Sequence, residues 1–282
     1  MKKIAALFIV CILLLPMLGC APQRSAPIAA TTLPVWQFAS RLCEGTDLTV
    51  TRLVTESVSC LHDYSLQVSQ MQAIESAQVV LISGAHLEAF MDDALEKAEA
   101  VVDASAGIAL LPGEEAGEGD PHIWLSPANA AAMARNLCSG LKALYPAYET
   151  RFDENLSGLL EELEELEQYG RRELSSLSTR ELITFHDGFA YFAQAFDLEI
   201  LAAVEEESGS EASAQELTEL AGLIDSHALP AIFTETNGST AAASVLSAET
   251  GAAVYSLDMA MAGDDYFQAM YHNIDTIKEA LS

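Results

Sequence analysis

The chain has 282 residues, 13 basic and 42 acidic side chains, and a formal charge of −29. Half its residues are hydrophobic and only 16 are Gly and 9 Pro, which excludes disordered and collagen-like chains. At roughly 100–200 residues per domain the length predicts two domains with a core each, and so acidic a chain excludes a phosphate-tracking nucleic-acid binder, which would need clustered Lys and Arg.

Lys2 and Lys3 precede an apolar run over 4–15 and then Pro16-Met17-Leu18-Gly19-Cys20. A short basic start followed by about a dozen apolar residues predicts an export signal over 1–19, too short to cross a bilayer comfortably. Gly19 before Cys20 resembles the bacterial lipobox, in which the Cys is lipidated and becomes the mature N-terminus. Met17 stands where Leu is usual, and the alternative is an uncleaved anchor. Residues 20–27 then form a lipidated tether, so the expected location is extracytoplasmic, anchored to a bacterial membrane through Cys20. Cys11 lies in the signal, which leaves Cys43, Cys60 and Cys138. Outside the cytoplasm two of these three can pair. Cys43 follows the first helix pattern and Cys60 the next strand pattern, so Cys43–Cys60 is the favoured bridge; three free buried thiols are the alternative.

From residue 28 onward, short apolar runs alternate with helical patterns. Strands are predicted at 28–32, 48–54, 79–83 and 100–103, with helices near 34–44, 65–76 and 87–98. A second series places strands at 182–185, 199–204, 231–234 and 253–257, with helices near 187–196, 213–227, 238–250 and 264–281. Strands of a few residues alternating with longer helices argue for βα units and mainly parallel sheets. Between the two series, Phe152, Leu156, Leu159, Leu163 and Leu166 repeat at 4-3-4-3 spacing on one helical stripe. Acids lead this helix and Arg171 and Arg172 close it, which suits the helix dipole; Gly170 interrupts the pattern near its end. The fold class is therefore α/β, two lobes joined by one long rigid helix. The divisions are an N-terminal lobe over 28–145, a linking helix over 146–177 and a C-terminal lobe over 178–282. Within the first lobe, 111–120 is a turn-rich acidic loop.

The chain has no His-Glu-x-x-His, Cys-x-x-Cys, phosphate-binding loop or Gly-x-Ser-x-Gly. Its six histidines are His62, His86, His122, His186, His227 and His272. In open α/β sheets ligands gather beyond the carboxyl ends of the strands. His186, Glu235 and Asp258 each directly follow a predicted strand of the second lobe, on one edge. In the first lobe His62 stands just beyond the second strand and His122 follows Pro121, with Asp63 or Asp120 near enough to orient an imidazole. His86 stands at a strand end near the same edge, whereas His227 and His272 read as surface or structural. Trp36 and Trp124 read as packing residues, Trp124 helping to fix the loop of His122.

Four stretches carry a resemblance: His-Asp-Tyr-Ser at 62–65, Asp-Pro-His-Ile-Trp-Leu-Ser-Pro at 120–127, Thr-Phe-His-Asp-Gly-Phe-Ala-Tyr-Phe at 184–192, and Ile-Phe-Thr-Glu at 232–235 followed by Glu-Thr-Gly at 249–251. Together, in this order, they resemble the zinc/manganese solute-binding proteins of ABC importers over 28–282. The resemblance implies a metal held between the lobes by His62, His122, His186 and Asp258. It implies Glu235 as a cleft residue behind the ligands or an alternate fourth ligand. Two departures stand out: the loop 111–120 lacks the His that zinc members often carry there, and no Pro follows closely after Asp258. Three imidazoles and one carboxylate make a closed tetrahedral set for Zn²⁺ at about 2.0–2.2 Å. Mn²⁺ is the alternative ion, decided by geometry rather than raw affinity, while Mg²⁺ and Ca²⁺ would demand more oxygens. The implied protein is a monomer with no catalytic residue, and its partners are an ABC permease and its ATPase. The rival readings are a zinc hydrolase with Glu235 as general base, which needs an open coordination position, and an adhesin or organic-solute binder on the same fold.

Overall fold

The computed structural model describes residues 28–56, 61, 64–113, 119–204, 212–261 and 263–282. The expected signal, Cys20 and the tether lie outside the described residues, as do Cys60 and His62. Among the described residues no helix is long and apolar enough to cross a membrane.

The N-terminal lobe carries strands β1 (Ile28–Ala30), β2 (Val50–Arg52), β3 (Val79–Ile82) and β4 (Val101–Asp103), hydrogen-bonded in the order β2-β1-β3-β4. The C-terminal lobe carries β5 (Glu181–Thr184), β6 (Glu199–Ala203), β7 (Ala231–Glu235) and β8 (Ala253–Leu257), in the equivalent order β6-β5-β7-β8. All pairings within both sheets are parallel. In each sheet the chain first steps outward one way and then the other, leaving a crevice at the carboxyl ends of the two central strands. The strands of the first lobe are one or two residues shorter at their ends than the apolar runs predict, whereas β8 has the predicted bounds and β7 runs one residue longer. Beyond β1, the Thr31 N–H still donates to Leu81 O, but its side chain leaves the ladder to bond Glu88.

Most predicted helices are present: α1 (Leu33–Leu42), α2 (Val68–Ser76), α6 (Ala190–Ala195), α7 (Ala214–His227), α8 (Ala241–Thr250) and α9 (Tyr266–Leu281). The region expected as a helix over 87–98 is instead a 3₁₀ turn at Ala89–Met91 and a one-turn helix, α3 (Asp92–Leu95). The reason is Glu88, whose side chain turns back onto the N–H groups of Ser83 and Gly84 and ties down the start of the segment. A further long helix, α4 (Pro127–Leu144), has no counterpart in the sequence reading. Its signals are present: Ser126 caps Asn129 N, Pro127 takes the first turn, and Ala130, Met133, Ala134, Leu137, Cys138 and Leu141 form its buried stripe. Alanine contributes so little contrast to that stripe that the period is muted.

The linking helix α5 (Glu149–Glu173) has 25 residues. Phe152, Leu159, Leu163 and Leu166 are buried along it and Leu156 is partly so, as the 4-3-4-3 spacing predicts. These side chains belong to one apolar cluster that holds Phe38 and Leu137 of the first lobe as well as Phe192 and Ile274 of the second. Helix α9 returns along α5, where the Tyr169 hydroxyl donates to Asp275 at 2.6 Å and Lys278 pairs with Glu173 at 2.6 Å.

Gly170, which weakens the helical pattern in sequence, is required by packing. A Cβ there would lie 2.3 Å from the Phe196 ring, whereas one at Gly158 of the same helix would meet nothing within 4 Å. Gly170→Ala is therefore expected to destabilise the protein by about 1–2 kcal/mol through overpacking, net of its helix-propensity gain. Gly158→Ala is expected to stabilise it by about 0.5–1 kcal/mol. Urea denaturation of the two variants checks the contrast, and equal effects would refute it.

Candidate metal centre

The crevice of the C-terminal sheet lies between β5 and β7, and two sequence-selected residues stand there. His186 follows β5 by two residues, and Glu235 is the last residue of β7. The strands are pinned side by side at this end, with Phe185 N donating to Phe233 O at 2.8 Å. His186 Nδ1 lies 3.2 Å from Glu235 Oε1, and both side chains are buried. Thr184 Oγ1 donates to the carbonyl of His186 at 3.0 Å, fixing the backbone that bears the ring. Gly188 is small of necessity, since a Cβ would fall 2.6 Å from His186 Cδ2 and 2.5 Å from the Met259 methyl.

His122 enters from the first lobe, on the segment between β4 and α4. Asp120 Oδ1 accepts the backbone N–H of His122 at 2.9 Å and lies 2.8 Å from its Nδ1. One carboxylate oxygen thus fixes both the main chain and the ring of the same residue. Trp124, on the 3₁₀ turn Ile123–Leu125, packs edge-on against the His122 ring at 5.4 Å between centroids. Its indole N–H donates to Met259 O at 2.8 Å, and its own carbonyl accepts from the Tyr266 hydroxyl at 2.7 Å. Both bonds cross from one lobe to the other in a fully buried setting.

The two imidazoles meet. His122 Nε2 and His186 Nε2 stand 3.4 Å apart, the rings nearly perpendicular at 88°. A carboxylate facing each Nδ1 favours the Nδ1–H tautomer and leaves Nε2 as the electron-pair donor. Two such donors pointed at each other repel unless a cation or a proton stands between them.

Asp258 is close in sequence to this region but is engaged elsewhere. Its Oδ1 accepts the N–H of Ala260 at 2.7 Å, and Asn273 bonds both its N–H and its carbonyl. Among the described residues, no group of three or more His, Cys, Asp and Glu side chains is gathered closely enough to hold a metal ion. The segment after Asp258 is clamped by the first lobe: Arg52 donates to Met261 O at 2.6 Å and Gly263 O at 2.5 Å, and Gln37 takes the N–H of Tyr266 at 2.6 Å. His227 pairs with Glu181 and His272 with the Ser256 carbonyl, both on the surface. Cys43 and Cys138 are buried free thiols, and burial pushes the Cys43 thiol up to about 12. Tyr191 is part of the 184–192 motif but carries no role in the sequence analysis; its hydroxyl reaches the Asp120 carbonyl at 2.9 Å.

Comparison with known proteins bears on this geometry. Residues 28–280 match the family described as zinc-uptake complex component A, periplasmic. The chain is 27% identical over 309 aligned residues to the zinc-binding lipoprotein AdcA of Streptococcus pneumoniae, covering 99% of this chain and 61% of that protein's length. It is 28% identical to the manganese-binding lipoprotein MntA of Bacillus subtilis, covering 93% of this chain and 92% of that one. The crystal structure of ZnuA superposes with a TM-score of 0.81 at 29% identity, covering 91% of this chain and all of that one.

In the N-terminal sheet the equivalent crevice, between β1 and β3, is filled by the protein itself. The Glu88 carboxylate accepts from Thr31 Oγ1 at 2.6 Å, Ser83 N at 2.7 Å and Gly84 N at 3.0 Å. Burial dominates these three donors and raises its pKa from 4.5 to about 7. A carboxyl with a folded-state pKa above its unfolded value binds its proton more tightly in the fold. Its contribution to stability is therefore full at acid pH and is lost as pH rises from about 4.5 through about 7. Between about pH 5 and pH 7, the stability of wild type relative to Glu88→Gln is expected to fall by about 2 kcal/mol. Denaturant titrations at the two pH values check this, and a difference independent of pH would refute it.

Proposed function

This chain belongs to the periplasmic zinc-uptake component A family, and we propose that it captures Zn²⁺ between its lobes and delivers the ion to an ABC permease and its ATPase. The observation that carries the proposal is the 3.4 Å approach of His122 Nε2 to His186 Nε2 from opposite lobes. Two nitrogens bound to one tetrahedral zinc at about 2.0–2.1 Å stand about 3.3–3.4 Å apart. The spacing suits a shared ion, and the carboxylates behind both rings suit imidazoles kept neutral and oriented for a metal. His62 and Asp258 would complete the sphere. Asp258 would first exchange its bond to the Ala260 N–H for the ion, a local rearrangement of the turn. Glu235 would remain behind His186, or serve as the fourth ligand if Asp258 kept its turn.

Four protein ligands would close the sphere and leave no position for a reacting water, which supports capture rather than catalysis. The apolar cluster running through α5 supports a modest change on binding, in which the ion stabilises the closed loops by binding them better than the open ones. Release would follow when the permease distorts the ligands of one lobe. The name of MntA, a manganese-binding relative, keeps Mn²⁺ as the second ion of this reading. The facing imidazoles of His122 and His186 support zinc as the first ion, since imidazole suits it better. We further propose that the protein acts outside the cytoplasm as a monomer, attached through lipidated Cys20. Its divisions would fall at 28–145, 146–177 and 178–282. This chain spans 61% of the length of AdcA.

Titration of metal-free protein with Zn²⁺ tests the reading. Wild type is expected to bind one ion, and His122→Ala and His186→Ala each to weaken binding by about 100-fold or more, since each removes a ligand. Competition with Mn²⁺ in the same experiment is expected to favour Zn²⁺. Variants that bind as tightly as wild type would place the site elsewhere.

A further inference from the structure

We propose that Tyr191 is a positioning residue of the metal site, holding from the C-terminal lobe the main chain on which His122 is aimed. The inference rests on the capture reading above. Tyr191 lies on α6, only five residues after His186, and is 1% exposed. Its hydroxyl donates to the Asp120 carbonyl at 2.9 Å and accepts the N–H of Leu111 at 2.9 Å. Leu111 and Asp120 are the two ends of the acidic loop, and they bond each other through Asp120 N and Leu111 O at 2.9 Å. Pro112 and Gly119 continue that neck as an antiparallel bridge. A single hydroxyl from the opposite lobe therefore closes the neck of the loop.

What Asp120 does makes this consequential. Its carbonyl is held by Tyr191 and its N–H by Leu111, while its side chain binds His122 at both the backbone and the ring. The separation of the two Nε2 nitrogens is thus set along a short path: His186, the start of α6, Tyr191, Asp120, His122. Every step in it is a covalent stretch of a few residues or a hydrogen bond under 3 Å. Burial raises the Tyr191 pKa, so the phenol remains a donor across the physiological range. Phenylalanine would fill the same space and leave the Asp120 carbonyl and the Leu111 N–H without this partner. The hydroxyl accordingly serves the loop neck, while the ring serves the core.

Tyr191→Phe in the full chain is expected to retain the fold by circular dichroism and to weaken Zn²⁺ binding by about 10–100-fold, the usual effect of losing support behind a ligand. Because the effect passes through Asp120, it should shrink to less than about threefold in an Asp120→Asn background. In the metal-free protein, the Nδ1 proton resonance of His122 should broaden or shift in Tyr191→Phe, a change that lost stability alone would not confine to that ring. Tyr169→Phe removes an exposed hydroxyl of α5 that bonds Asp275 on α9 and should leave binding unchanged. If wild type binds Zn²⁺ and Tyr191→Phe matches it, or the two losses add in full, the positioning role is overturned while the capture reading stands. If wild type binds no Zn²⁺, both fall.

Discussion

One apolar stripe constrains everything else in this molecule. Phe152, Leu159, Leu163 and Leu166 on α5 are buried in a cluster that also contains Leu33 and Phe38 from α1 and Ile274 and Ile277 from α9. Removing one such side chain from water is worth about 1.5–3 kcal/mol, so prising the lobes apart would forfeit several of these contributions together. Surface pairs along the helix, such as Arg41 with Glu162 and Lys142 with Asp153, add little by comparison. With the lobes joined through a shared core, movement is left to the loops at the carboxyl edges of the sheets. Those are the loops that carry His122, His186 and Asp258.

The equivalence of the sheets, β2-β1-β3-β4 and β6-β5-β7-β8, makes the difference in how their crevices are filled informative. In the C-terminal lobe the crevice presents His186 backed by Glu235. In the N-terminal lobe Glu88 occupies it, and the histidine facing across the gap comes from the segment ahead of α4 instead. A ring on a connecting segment lacks the rigidity of a strand end. That rigidity is supplied by side-chain bonds: Asp120 to His122, Tyr191 to Asp120, and Trp124 to Met259. The last two of these bonds join one lobe to the other, so the position of His122 is referred to the lobe that bears its counterpart.

Much of this could be read from the sequence, for identifiable reasons. Parallel strands buried on both faces appear as short apolar runs, and the stripe of α5 keeps its period because Leu contrasts sharply with the Glu around it. The alanine-rich stripe of α4 lacks that contrast and passes unnoticed. The break at 87–98 is set by Glu88 reaching residues 83 and 84, a tertiary bond that no periodicity encodes. His122 and His186 are legible because strand ends and a Pro-flanked motif mark them; their approach to 3.4 Å is not, because it depends on how the two lobes face each other. Tyr191 stands in the 184–192 motif, but its role is hidden for the same reason: an aromatic on a helix reads as core until its hydroxyl is seen to cross between lobes. Gly170 misleads in sequence, where it looks like a helix weakness, because its cause is the Phe196 ring across the interface.

The acidity of the chain bears on the site less directly than its size suggests. Most of the 42 acidic side chains face water, where they attract cations only weakly and under salt screening. Asp120 and Glu235 differ because they are buried, 5% and 6% exposed, and each faces an imidazole rather than a Lys or Arg. Burying a carboxylate is costly, and the imidazole facing each one offsets part of that cost. Under the capture reading, a divalent ion between the rings would add positive charge through the imidazoles, offsetting more of the desolvation of both carboxylates at once. The same two residues that aim the rings would then also make the closed arrangement depend on the ion. Cation dependence of that kind comes from two buried acids at the interlobe edge, and the charge of the whole surface is not needed to produce it.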